Sequence, residues 1–133
     1  MTMTNLSSSF ALSRDAAKLI ATETGINQHD IALTLGSGWA KAADFLGETT
    51  AEIPASDIPG FSQSGVPGHT GTIRSIHMEN GKRALVIGAR THYYEAKGVR
   101  AVVHSVRTAA ACGADIMVLT NGAGGIKDHW TPG

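Results

Sequence analysis

Apolar positions fall into two rhythms along the chain. In "SRDAAKLIATET", residues 13–24, Ala16, Leu19 and Ile20 recur at the three-to-four spacing of one helix face. Ser13 suits the N-cap, Asp15 the first turn, and Gly25 the stop. Ile31 to Leu35 then reads as an apolar strand that runs into a tight Gly36-Ser37-Gly38 turn, followed by a helix from Trp39 to Leu46 closed by Gly47. Residues 48–71 hold three of the four prolines and four glycines, and read mostly as loop. Thr72–Glu79 and Arg83–Ala89 read as two strands, with the hairpin dipeptide Asn80-Gly81 between them. Val99, Val102, Val103 and Val106 return at helical spacing and predict a helix over 99–111 with one apolar face, ended by Gly113. Ile116 to Leu119 is a further apolar strand, and "TNGAGG" follows it. There is no internal repeat and no low-complexity segment.

Strands alternating with helices imply a sheet with helices packed on it. The strands at 31–35 and 116–120 end in glycine-rich turns, and the strand at 83–89 ends in "ARTHYYE". Ligands of open α/β sheets collect at the carboxyl ends of strands, so three such ends set side by side would form one site. The last residues, "KDHWTPG", bring no helix or strand to finish the domain, and the expectation is the front part of a longer protein.

Composition narrows the function classes. The chain has 133 residues, one domain or part of one, with 11 Lys+Arg against 11 Asp+Glu. That balance leaves no electrostatic footprint for nucleic acid or an anionic membrane. Hydrophobic residues make up 42%, enough for a buried core. Cys112 stands alone in "TAAACGAD", a setting for a packed thiol, and no intramolecular disulfide can form. The N-terminal "MTMTNLSSSF" lacks the basic and apolar regions of a signal peptide, and no 18-residue apolar run exists to span a membrane. A cytoplasmic α/β protein is expected.

Three stretches carry candidate chemistry. "LGSG" could present backbone N–H groups and the Ser37 hydroxyl to an anion at a helix N-terminus. Taken alone it reads as an ordinary strand–helix turn. In "RTHYYE" an extended backbone would point Arg90, His92 and Tyr94 one way and Thr91, Tyr93 and Glu95 the other. Arg offers a fork of donors to phosphate, His a donor to a second oxygen, and Tyr a hydroxyl to a sugar. A strand end with one wet face explains the same triple equally well. In "TNGAGG" the small residues 122–125 would let a ligand lie on the backbone, or form a flexible turn. "VPGHTG", residues 66–71, puts His69 in a Pro/Gly loop suited to a lid. His77 and His104 read as structural, and His29 and His129 as solvated. No His, Cys or acidic set has metal-ligand spacing, so no metal is expected.

Together "LGSGWA", "VPGHTG", "GARTHYYEAKG" and "VLTNGAGG", in this order, resemble the N-terminal half of the trimeric-class purine nucleoside phosphorylases, over roughly residues 10–133. The resemblance implies a three-layer α/β/α sandwich with a mixed, partly barrel-like sheet, incomplete here. Residues 1–133 would be the N-terminal portion of a single domain whose C-terminal portion is absent. It implies phosphorolysis of purine (deoxy)ribonucleosides to free base and (deoxy)ribose 1-phosphate, by a homotrimer with inorganic phosphate as co-substrate and no cofactor. By position, Ser37, His69, Arg90, His92 and the backbone of Gly122 resemble phosphate ligands. Tyr94 resembles the tyrosine on the ribose, Ala123 and Gly124 the segment beside the base, and Glu95 the acid that orients the phosphate groups. Arg90, His92 and Glu95 are the catalytic candidates. Gly122 departs from the Ala of many relatives. The residues that hold the purine ring in that family lie in the half not present, so the isolated chain is expected to be inactive.

Three other readings remain. A 5′-methylthioadenosine phosphorylase shares the fold, but that branch typically lacks "RTHYYE" and places Thr at Ser37. A dinucleotide-binding oxidoreductase would use "LGSG" with Asp57 as the ribose acid, but Lys41 stands where that fingerprint needs a small residue. A non-catalytic phosphate-binding fragment would bind the anion without turnover.

Overall fold

A computed structural model describes residues 3–36, 38–61 and 71–131. The elements are helix α1 (Met3–Thr24), strand β1 (Ile31–Thr34), strand β2 (Gly47–Pro54), hairpin strands β3 (Thr72–Met78) and β4 (Arg83–Ile87), helices α2 (Gly98–Val102) and α3 (His104–Ala111), and strand β5 (Ile116–Leu119). They form one five-stranded mixed sheet in the order β2-β3-β4-β1-β5. β2, β3 and β4 make an antiparallel meander, while β1 runs parallel to both β4 and β5.

Strand alternation sorts the apolar side chains to two faces. On one face Ala32, Ile53, Ile73, Leu85 and Ile87 pack against Ala16 and Ile20 of α1 and Ala109 of α3, with Cys112 beside them. On the other, Leu35, Ile76, Ala84 and Val86 pack under Ala43 of a 3-10 segment, Ala40–Phe45. Burial of each large aliphatic side chain contributes roughly 2 kcal/mol. The α/β architecture and mixed sheet match expectation. Among the described residues, however, that 3-10 segment is the only helical element packed on the second face.

Several elements differ from those the sequence implies. α1 begins at Met3, not Ser13, because residues 3–12 contain neither Gly nor Pro to stop it. Ser13 therefore lies inside the helix, and its Oγ donates to the Phe10 carbonyl (2.9 Å) instead of capping. The helix expected over Trp39–Leu46 is the short 3-10 segment. Gly47 opens β2 rather than closing a helix, and a Cβ there would strike the His77 backbone. β2 occupies much of the expected loop, since every Pro and Gly of residues 48–71 falls after Ile53 and leaves "ETTAEI" free to pair with β3. Val103 interrupts the helix expected over 99–111, and the inward residues beyond it are His104, Thr108 and Ala109. Val99 of the proposed apolar face is 61% exposed. His29, expected in solvent, is 1% exposed.

The Asn80-Gly81 hairpin forms. Gly81 has φ +79° and its N–H donates to the Met78 carbonyl (2.9 Å), closing a three-residue loop. Cys112 is buried, and burial pushes its thiol up to about 11, as a packed rather than reactive cysteine requires.

Candidate functional site

Parallel pairing decides where the chemistry gathers. Thr34 is in register with Ile87 on one side and Leu119 on the other, so β4, β1 and β5 end at one level. The segments leaving them are the three singled out in the sequence: 88–95, 35–38 and 120–125. Thr120 ties two of the ends together, its N–H (3.3 Å) and Oγ1 (2.6 Å) both donating to the Thr34 carbonyl.

Arg90 crosses the gap. Its Nη1 donates to the Thr120 carbonyl (3.2 Å), so a side chain from the β4 exit reaches over β1 to the β5 exit. A small cleft runs behind it between the Gly60–Phe61 loop and the α2–α3 region, with Arg90, Thr91, Ala101 and Ser105 on its walls. His104 closes the floor. Its Nε2 meets the Pro59 carbonyl (2.8 Å), and its ring packs edge-on against Phe61 at 4.9 Å. Burial holds this imidazole below its ordinary pKa, and its contacts with Pro59 and Phe61 make it structural, as the sequence implied.

"RTHYYE" does not stay extended. His92 is the N-cap of a 3-10 turn, Tyr93–Glu95, and the alternation of faces ends there. Glu95 folds back instead of pointing away. Its Oε1 accepts from the His92 backbone N–H (2.7 Å) and lies 3.2 Å from His92 Nδ1, while Oε2 accepts from Lys97 Nζ (2.9 Å). The His92 backbone hydrogen bond, with help from Lys97, pulls the Glu95 carboxyl down to about 2. His92 and Tyr94 remain on one side, their rings stacked at 4.8 Å and 17°. Ala96 then leaves the turn in a left-handed conformation, φ 57° and ψ 21°.

His92, Tyr94 and Glu95 thus come together beyond the β4 exit, while Arg90 turns to Thr120. Gly122, Ala123 and Gly124 lie in an exposed segment two to four residues beyond Thr120, and a Cβ at Gly122 or Gly124 would meet nothing within 4 Å. Ser37 and His69 lie outside the described residues. The helix expected after "LGSG" is a 3-10 segment of six residues, so no α-helix N-terminus stands behind that turn. Thr120 and Lys97 carry no sequence signal of their own, though both lie inside the motifs "VLTNGAGG" and "GARTHYYEAKG". Spacing alone could not show that one anchors Arg90 and the other Glu95. Among the described residues no group of three His, Cys, Asp or Glu side chains could hold a metal, and no helix is long and apolar enough to cross a membrane.

No family model matches the chain. Individual proteins do. A purine nucleoside phosphorylase of Cellulomonas is 55% identical over 128 residues, which is 93% of this chain and 45% of that protein. The purine nucleoside phosphorylase of Mycobacterium tuberculosis is 47% identical over 116 residues, 87% of this chain and 43% of that one. The chain belongs to the purine nucleoside phosphorylase family. It spans less than half the length of these relatives.

Solved purine nucleoside phosphorylases carry the same fold. The Schistosoma mansoni protein in complex with inosine superposes with a TM-score of 0.75 at 29% identity, over 91% of this chain and 41% of that one. Another, in complex with ribose-1-phosphate, gives 0.76 at 29% identity, over 90% and 43%. The sheet described above is therefore part of the purine nucleoside phosphorylase fold.

Proposed function

We propose that this chain supplies the phosphate-binding wall of a purine nucleoside phosphorylase, which cleaves purine (deoxy)ribonucleosides with inorganic phosphate to give the free base and (deoxy)ribose 1-phosphate. The observation that carries the reading is the Arg90 side chain spanning the exits of β4 and β5, with the paired His92 and Glu95 following it on the same segment. Similarity to purine nucleoside phosphorylases over 93% of the chain supports it, as do relatives solved with inosine and with ribose-1-phosphate.

Each residue then has a task. Arg90 and His92 hold the phosphate, with the Gly122 N–H, the Ser37 hydroxyl and His69 completing its ligands. Glu95 orients His92. Tyr94 meets the ribose, and Ala123 and Gly124 line the base. Cleaving the glycosidic bond builds positive charge on the sugar and negative charge on the departing purine. A phosphate dianion fixed beneath the sugar stabilises that cation and is aimed at the anomeric carbon. Each preorganised donor lost costs on the order of 3 kcal/mol, if the magnitude known for oxyanion holes transfers. Phosphate is a co-substrate, and no cofactor or metal takes part.

The rest of the reading concerns the protein as a whole. Residues 1–133 form the N-terminal portion of one domain in a cytoplasmic homotrimer that serves purine salvage. The purine-holding wall comes from outside this stretch, so the 133-residue chain alone does not turn over. The test is phosphate-dependent release of hypoxanthine from inosine. The full-length protein should release it only with phosphate present, and the 133-residue chain should not release it at all. Phosphate-independent release, or none by the full-length protein, overturns the reading.

A further inference from the structure

The strand ends at the site are tied unevenly. The Leu35 N–H reaches the Ile87 carbonyl at 3.4 Å and the Thr120 N–H reaches the Thr34 carbonyl at 3.3 Å. Both are longer than the roughly 2.9–3.0 Å of a typical N–H···O bond, so the parallel ladder loosens where it ends. Thr120 Oγ1 adds a second bond to the same Thr34 carbonyl at 2.6 Å. That is short even for a hydroxyl donor, whose usual distance is about 2.7–2.8 Å. A carbonyl has two lone pairs and can take both donors. Among the described residues β5 has only β1 for a neighbour, so the hydroxyl is the closest tie at its exit.

Arg90 hangs between two supports. Its root is fixed from the β3 side. The Gly88 N–H donates to the Thr72 carbonyl (2.8 Å), and a Cβ on Gly71 would come within 2.8 Å of the Ala89 Cβ. Its tip rests on the Thr120 carbonyl (3.2 Å). The root thus belongs to the inner strands of the sheet, and the tip to the strand at its end. Where the tip sits follows from where Thr120 sits. A long side chain held at both ends has less rotamer freedom left to lose when it takes a ligand.

We propose that Thr120 is a positioning residue of the phosphate site: its side-chain hydroxyl clamps the end of β5 to the Thr34 carbonyl, and so holds in place the backbone carbonyl that carries Arg90. The consequence for phosphate depends on the reading of Arg90 as a phosphate ligand. The arrangement itself does not.

Two measurements separate the two statements. Thr120→Val keeps the shape and removes the hydroxyl, and Thr120→Ser keeps the hydroxyl. Crystal structures of the full-length protein, grown without phosphate, test the arrangement whatever the activity. Arg90 Nη1 should stay on the carbonyl of residue 120 in the wild type and in Thr120→Ser, and leave it in Thr120→Val. An unchanged Arg90 contact in Thr120→Val overturns the proposal. In steady-state phosphorolysis, Thr120→Val should raise the phosphate KM about fivefold, the worth of one hydrogen bond, with the inosine KM and kcat nearly unchanged. Thr120→Ser should restore it. In an Arg90→Ala background Thr120→Val should add nothing, since it acts through that side chain. A phosphate KM that stays put, an equal rise for both substrates, or a further loss beyond that of Arg90→Ala also overturns it. If the wild type shows no phosphate dependence at all, the functional reading fails, while the crystal structures still decide what the Thr120 hydroxyl holds.

Discussion

His29 and Ser75, 46 residues apart in the chain, meet inside the protein through a 2.8 Å hydrogen bond between Nε2 and Oγ. The His29 backbone N–H also donates to the Cys112 carbonyl (2.9 Å), so one residue ties the entry of β1 to β3 and to the end of α3. Its Nδ1 has no partner among the described residues.

Burial, aided by the nearby Arg83 charge and opposed by Asp30, holds the His29 imidazole down at about 4 instead of 6.5. The unfolded chain then binds a proton more readily than the folded one. Stability from this group is complete above pH 6.5 and drains away as pH falls toward 4. The loss should reach about 3 kcal/mol at the acid end. Urea midpoints recorded from pH 7 to 4 should fall steeply in the wild type and more gently in His29→Gln. Equal slopes would refute the assignment.

Arg90 to Ala removes the side chain that joins the two strand exits. In the full-length protein, kcat/KM for phosphate should drop by roughly a hundredfold or more. Arg90→Lys keeps the charge but not the planar fork, and should recover only part of the loss. Full activity in Arg90→Ala would exclude the residue from phosphate binding.

Ala96 is the one non-glycine residue with positive φ among those described, at 57°. A Cβ in the left-handed region costs about 1 kcal/mol or more, which Gly avoids, though Gly returns part of that as unfolded-state entropy. Ala96→Gly should raise the thermal midpoint by a few degrees, and Ala96→Val should lower it. A lower midpoint for the glycine variant would show that the turn is unstrained.

Among the described residues β5 pairs only with β1 and forms one end of the sheet, with Ile116 58% and Leu119 60% exposed. An apolar edge of this kind templates further pairing. The 133-residue chain should self-associate at micromolar concentration, and Ile116→Lys should shift light-scattering mass toward the monomer. A monomeric wild type with a sharp melting transition would contradict this.

The sequence carries the sheet's strands and the site's motifs unevenly. Ile31–Thr34, Arg83–Ile87 and Ile116–Leu119 are legible because each lies in a short, nearly continuous apolar run with a turn-forming stretch after it, the pattern of strands in a parallel sheet. β2 is hidden because its inward residues Thr49 and Ala51 are weakly apolar, and the prolines beyond it dominate the window. The buried role of His29 has no local signal, since Ser75 is supplied by a distant strand. At the site, residue types point to Arg90, His92 and Glu95. The fold-back of Glu95 depends on a 3-10 turn and a left-handed Ala96, which side-chain alternation cannot anticipate.

The partner that Arg90 has chosen matters for its charge. A carbonyl oxygen fixes the guanidinium in place without neutralising it, and no carboxylate among the described residues forms an ion pair with it. Four of its five N–H groups stay uncommitted to Thr120. The guanidinium is thus fixed in place with its full positive charge still unspent.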